Sequence, residues 1–191
     1  MRAWRRFLVK VLAEVAPPNG SEFWMADIGA AGGGTTAACL RAYPRLRAYM
    51  IDPWAALPEY LESVKGIQPP EGFEQVYFDA AFLQAVEATD FAAGRRVMLR
   101  MRSSEAAPHI RAESLSLVFL DGMHTEDIVA ADCRAYWPKL VLGGILCGHD
   151  YGNKHHPGVK AAVDKWIGSK GLPLAMADCA RGVWVTRRPI A

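Results

Sequence analysis

Short apolar runs alternate along this chain with segments whose apolar residues recur every three or four positions. Trp4, Phe7, Leu8, Val11, Leu12 and Val15 have the second spacing and predict an amphipathic helix. Pro17, Pro18 and Gly20 end it. FWMADI (23–28) then predicts a strand, followed by a glycine-rich turn and a helix from Thr35 to Tyr43. RAYMI (47–51) is a second strand and 56–92 a helical region with turns. RVMLRM (96–101) is a third strand, with a short helix through SEAAPHI, and LSLVFL (115–120) a fourth. TEDIVAADCRAYW (125–137) predicts a helix with Thr125 as N-cap. Pro138 and the Gly143–Gly144 pair bracket a turn into a fifth strand, ILCGHD (145–150). Pro157 opens a further helix. LPLAMA (172–177) and GVWVTRR (182–188) are the last two strands.

Strand–helix alternation predicts a parallel sheet with helices on both faces, doubly wound by right-handed crossovers. The short turn around Asp178–Gly182 makes the final strands an antiparallel hairpin at one edge. The expectation is therefore an α/β domain over 21–191 with a mostly parallel seven-stranded sheet, preceded by a helical segment over 1–20. Ligands of such sheets bind beyond the carboxyl ends of the strands, so the strand tips carry the candidate chemistry.

The 191 residues are 51% hydrophobic and 22% charged, with 22 basic and 20 acidic side chains, an ordinary globular composition. That balance gives no reason to expect a nucleic acid or an anionic membrane as partner. Lys10 and Glu14 interrupt the apolar N-terminal pattern, which speaks against a signal peptide. Arg2, Arg5, Arg6 and Lys10 read as a solvated helix face. No apolar run is long enough to span a membrane. Cys39, Cys133, Cys147 and Cys179 form no CxxC pair and read as buried free thiols of a cytoplasmic protein.

Asp27 ends the first strand; Gly29, Gly32, Gly33 and Gly34 follow it. Glycines let the backbone turn sharply and approach a ligand closely, and the helix behind them points free N–H groups at the turn. Asp52 ends the second strand, where a carboxylate can accept both hydroxyls of a ribose. Gly29–Gly34 can be read as a loose dinucleotide fingerprint, G-x-A-x-x-G. The competing pattern is D-x-G-x-x-x-G, matched by Asp27, Gly29 and Gly33.

The second pattern resembles the first motif of class I S-adenosylmethionine (SAM)-dependent methyltransferases, and the resemblance runs over nearly the whole chain after residue 22. MIDPW looks like the family's second-strand ending, and MRSSEAA (101–107) is placed like its adenine-flanking segment. FLDGMHTEDIVAADCRAYWPKLVLGGILCGHDY with PGVKAAVDKW is similar to a small bacterial group related to cephalosporin hydroxylase and to catechol-type O-methyltransferases. The resemblance implies a Rossmann-like fold and a SAM site formed by Asp27, Gly29, Ala30, Gly33, Asp52, Trp54, Ser103, Ser104 and Asp121.

Strand 4 delivers Asp121, and its expected neighbour, strand 5, delivers His149 and Asp150. Carboxylates this close repel unless a cation sits between them, and hard divalent cations take carboxylate oxygens. Metal-dependent O-methyltransferases hold magnesium with an acid after strand 4 and a pair after strand 5. By that resemblance Asp121, His149 and Asp150 would hold magnesium or manganese. His149 departs from the family's more usual carboxylate or amide and serves equally well as a base. Met123 stands where some sugar-directed relatives have an acidic base, leaving His124 as the next candidate. His155 and His156 read as a solvent-exposed loop.

The implied activity is O-methylation of a small molecule such as a sugar, a phenol or another natural product. The alternatives are a metal-dependent hydrolase or hydroxylase, a non-catalytic SAM-binding protein on the same scaffold, or a NAD-dependent oxidoreductase. The apolar stripe of the first helix offers a surface for a homodimer.

Overall fold

The structure, a computed structural model, describes residues 2–58, 75–177 and 182–190. Within them lie α1 (Ala3–Val15), β1 (Phe23–Ile28), α2 (Gly34–Ala42), β2 (Leu46–Ile51) and α3 (Gln75–Ala88). Then come β3 (Arg96–Leu99), a single-turn α4 (Ser103–Ala106), β4 (Leu115–Leu120), α5 (Glu126–Tyr136), β5 (Leu140–Gly148) and α6 (Pro157–Lys170). The short β6 (Ala175–Met176) and β7 (Trp184–Arg187) close the chain. Part of the expected 56–92 helical region, the turn over 178–181 and Cys179 lie outside the described residues.

The strands form one sheet of order β3-β2-β1-β4-β5-β7-β6. β1 to β5 run parallel, while β7 pairs antiparallel with both β5 and β6. β4 is buried at every position, as a central strand covered on both faces must be. Alternating side chains feed two cores. Ala26, Ile28, Val118, Leu120 and Leu146 pack under α5 and α6. Met25, Ala48, Leu117, Phe119, Ile145 and Cys147 pack under α1 and α2. The expected α/β architecture, with its parallel body, antiparallel edge and helices on both faces, is the observed one.

Three local expectations are corrected. β5 begins at Leu140 and runs through Gly143–Gly144; its register against β4 shifts between Leu115 and Leu117, so the extra residues bulge from the sheet without ending it. Thr125 occupies the N-cap position of α5, but its side chain makes no capping hydrogen bond. The apolar stripe of α1 is covered by the chain's own sheet: Leu8, Val11 and Leu12 are buried among Phe23, Met25, Leu40 and Phe119. It is not the free surface that a second subunit would need. The described cysteines, Cys39, Cys133 and Cys147, are buried and free, and no described helix is long and apolar enough to cross a membrane.

Because Leu8 is fully buried, Leu8→Ala should lower stability by about 2–5 kcal/mol in denaturant titrations. A loss below ~1 kcal/mol would mean that α1 is not part of this core.

Candidate active site

The parallel register brings the carboxyl ends of β1, β2, β4 and β5 to one edge of the sheet. Gly29 leaves β1 with φ +84 and lies so near the end of β4 that a Cβ there would sit 2.2 Å from the Asp121 carbonyl oxygen. Only glycine permits both the conformation and the approach.

Asp52 joins the loops after β1 and β2. Its Oδ2 accepts the Ala31 N–H at 3.0 Å and its Oδ1 the Trp54 N–H at 2.7 Å. The Trp54 indole N–H donates to the Ala31 carbonyl at 2.9 Å. Ala31 and Trp54 both have positive φ, at 42° and 43°, conformations that non-glycine residues hold only where the surroundings enforce them. Burial raises the Asp52 pKa, partly offset by the two backbone N–H groups. Each oxygen keeps lone-pair capacity for a ligand hydroxyl.

Beyond these loops lies a cavity of about 760 Å³, within the ~300–1,000 Å³ usual for small-molecule sites. Gly29, Asp52, Trp54, Ser103, Ser104, Asp121 and His124 line it. The other nominated loop residues, Asp27, Ala30 and Gly33, stand behind that wall. Asp27 is buried and accepts a 2.6 Å hydrogen bond from the Thr36 hydroxyl of α2. Burial lifts its pKa to about 6, with Thr36 pulling the other way. The Trp54 ring is fully buried, packed edge-on to Phe82 and against Met50 and Ala85.

At the far end of the cavity stand Asp121 and His124, and the tip of β5 sets His149 and Asp150 against them, behind the cavity's lining. His149 Nδ1 lies 3.2 Å from Asp150 Oδ2 and 3.8 Å from Asp121 Oδ1. His124 Nε2 lies 3.0 Å from Asp150 Oδ2, yet too far out of line to form a hydrogen bond. Asn153 Nδ2 donates to Asp150 Oδ1 at 2.7 Å. Asp150 itself has φ +60. Burial pushes the Asp121 carboxyl up to about 7, with His149 opposing and Asp150 adding to the rise. For Asp150 burial also acts upward, but the contacts from His124, His149 and Asn153 together hold it well below the usual carboxylate range. The Asp150 contact raises the pKa of His149. Asp121, His149 and Asp150 each offer a donor atom within 4.8 Å of the others. So the structure brings the nominated trio together, with His124 against its flank.

Five contributors were not foreseen. Asp132, on α5, is buried, lines the cavity, and accepts the Ser103 hydroxyl at 2.6 Å. The Tyr136 hydroxyl donates to the Ser103 carbonyl at 2.8 Å, which fixes this wall. The helical spacing of Val129, Asp132, Cys133 and Tyr136 puts Asp132 on the buried stripe of α5, and a carboxylate there is a signal available from sequence. Arg5 is not solvated as expected: its guanidinium lies against Gly34 at the start of α2, and its Nε is buried. Trp4 packs on His149 with ring centroids 4.8 Å apart. His156, expected as exposed loop, stacks on His124 at 4.0 Å, nearly parallel.

A glycine-rich turn, an acid at the tip of β2, and Asp121 and His124 after β4 line one cavity, with His149 and Asp150 from the tip of β5 set against the last two. On this seven-stranded sheet they define a class I SAM-dependent methyltransferase. The chain belongs to the methyltransferase-domain family whose model matches residues 26–151. Its fold is also that of the O-methyltransferase NovP, at 15% identity over 98% of this chain and 80% of that one, with a TM-score of 0.70. A Corynebacterium glutamicum protein matches at 21% identity over 96% and 80%, TM-score 0.66. CalS11, a TDP-rhamnose 3'-O-methyltransferase of calicheamicin biosynthesis, matches at 18% over 96% and 77%, TM-score 0.62. No curated protein sequence matches the chain.

Burial lifts the Asp132 carboxyl to about 6, against the opposing Ser103 hydrogen bond. Its folded pKa therefore lies above the unfolded one, and the folded state holds the proton more tightly. The associated stability is fully present below about pH 4 and is lost as pH rises through about 6. Asp132→Asn keeps an acceptor for Ser103 and should flatten this loss, worth about 2–3 kcal/mol between pH 4 and 7. Denaturant midpoints of the ligand-free protein across that range measure it; identical pH profiles for wild type and variant would contradict the assignment.

Proposed function

We propose that this chain transfers a methyl group from SAM to a hydroxyl of a small molecule carrying neighbouring oxygens, with a divalent cation at Asp121, His149 and Asp150. The observation that carries this reading is the single cavity lined by both the Asp52 loops and Asp121 and His124, with His149 set against Asp121 and Asp150 against His124.

SAM bound in this cavity supplies an electrophilic methyl group on a sulfonium. The residues fit it: Asp52 is placed to accept ribose hydroxyls, and Ser103 and Ser104 line the wall where adenine would lie. Two carboxylates and one imidazole form a donor set suited to manganese or magnesium, with the imidazole favouring manganese. A recess of about 10 Å³, lined by Asp121, His124 and His149 among others, has room for roughly one water-sized occupant. A cation held by Asp121, His149 and Asp150 would supply Lewis acidity that lowers the pKa of an acceptor hydroxyl.

His124 is the base in this reading. Asp150 Oδ2 stands 3.0 Å from Nε2, and a small turn of the ring that aligns the two would hold the tautomer with its proton on Nε2. Nδ1 then keeps the lone pair that takes the acceptor's proton. Met123, which has no basic atom, also lines the cavity and contributes apolar surface. No covalent intermediate on the protein is required, so alignment of acceptor and methyl within the cavity supplies most of the rate. NovP and CalS11 are O-methyltransferases by name, which supports oxygen as the acceptor atom.

Asp52→Ala should weaken SAM binding roughly 10–100-fold in titration calorimetry, the loss of one or two charge-assisted hydrogen bonds; unchanged affinity would sink the ribose role. Asp150→Ala should bind SAM normally but slow S-adenosylhomocysteine release about 100-fold or more. An Asp150→Ala variant with wild-type turnover would overturn both the cation site and the orientation of His124.

A further inference from the structure

We propose that His124, Asp150 and His156 form a binding site for a divalent transition ion such as zinc, distinct from the Asp121–His149 side of the cluster. The three side chains come from two loops, one leading into α5 and one between β5 and α6. These loops are locked together. A Cβ on Gly158 would sit 2.6 Å from the Glu126 amide nitrogen and 2.7 Å from the His124 carbonyl oxygen. One donor atom from each of His124, Asp150 and His156 lies within 4.8 Å of the other two. Bonds of about 2.1 Å put tetrahedral ligand atoms ~3.4 Å apart, so the site closes when the His156 ring turns out of its stack on His124 and brings its nitrogen toward Asp150 Oδ2 and His124 Nε2.

Simple packing of the two stacked rings leaves two features over. Nε2 of His124 is buried without an aligned hydrogen-bond partner, although Asp150 Oδ2 stands 3.0 Å away. Asp150 is held at φ +60 with Asn153 fixing its Oδ1, which leaves Oδ2 turned to the histidines. Two imidazoles and one carboxylate suit zinc, cobalt, nickel or ferrous iron, whereas magnesium prefers oxygen alone. The Asp121, His149 and Asp150 set has the opposite balance, two carboxylates to one imidazole. Asp150 belongs to both.

A consequence follows that rests on the reading of His124 as base. An ion on Nε2 uses that atom's lone pair, so the proton held there moves to Nδ1. Nδ1 then carries a hydrogen and cannot accept one from a substrate. Occupancy of this site and base catalysis by His124 exclude each other, and zinc is an inhibitor.

Equilibrium dialysis of the chelator-stripped full chain against Co²⁺ and Mg²⁺ tests the site, with the visible absorption of bound Co²⁺ reporting nitrogen ligation. Wild type should bind Co²⁺ clearly more tightly than Mg²⁺. His156→Gln, with His156→Ala as a second variant, should weaken Co²⁺ binding about ten-fold or more while SAM affinity, as the control for folding, is unchanged. Undiminished Co²⁺ affinity in both variants overturns the proposal. Asp121→Asn separates it from the reading above. If Asp121→Asn abolishes Mn²⁺ binding while the His156 variants keep Co²⁺, the catalytic cation stands and this site falls. The reverse pattern keeps this site and removes the other.

Discussion

The carboxylate of Asp52 is the constraint on which the site depends. It grips the Ala31 and Trp54 amides at once, and the Trp54 indole closes the ring back to Ala31. Both residues have a left-handed backbone, which would relax without the grip. The clamp fixes the glycine turn against the end of β2 and keeps open the cavity that begins there. Because it is built from charge-assisted hydrogen bonds, it is stronger than neutral equivalents and leaves the acid ready for a further donor.

Buried acids line the cavity or stand just behind its wall. Asp27, Asp121 and Asp132 are each pushed upward, chiefly by burial. Asp150 escapes because two imidazoles and Asn153 surround it. A protein that keeps carboxyls short of water is arranged to receive positive charge. A sulfonium cofactor and a divalent ion both meet that description. The imidazoles supply nitrogen donors beside the carboxylate oxygens. The α1 helix contributes too: Trp4 packs on His149 and Arg5 reaches the start of α2, so the segment before β1 is part of the wall behind the site.

The strand tips were legible in the sequence because strands announce themselves by short apolar runs and a parallel sheet collects their carboxyl ends at one edge. That is why Asp52, Asp121, His149 and Asp150 could be named in advance, and why the last three come together. Asp132, His156 and Arg5 were harder for a shared reason: each reaches the site across a helix or loop packing that no local pattern encodes. Asp132 came nearest, since it sits on the apolar stripe of its own helix. Arg5 looked solvated because its neighbours on the helix are charged; only the docking of α1 turns it toward α2. The misplaced start of β5 has a local cause. A glycine pair normally marks a turn, and here the sheet absorbs it as a bulge.

The claim that one cavity holds both SAM and a cation can be tested by anomalous diffraction from crystals grown with S-adenosylhomocysteine and Mn²⁺. The account predicts a manganese peak between Asp121, His149 and Asp150, and a cofactor sulfur peak in the same cavity, with the ribose against Asp52. A cofactor bound elsewhere, or manganese absent from these three side chains while the cofactor is in place, would contradict it.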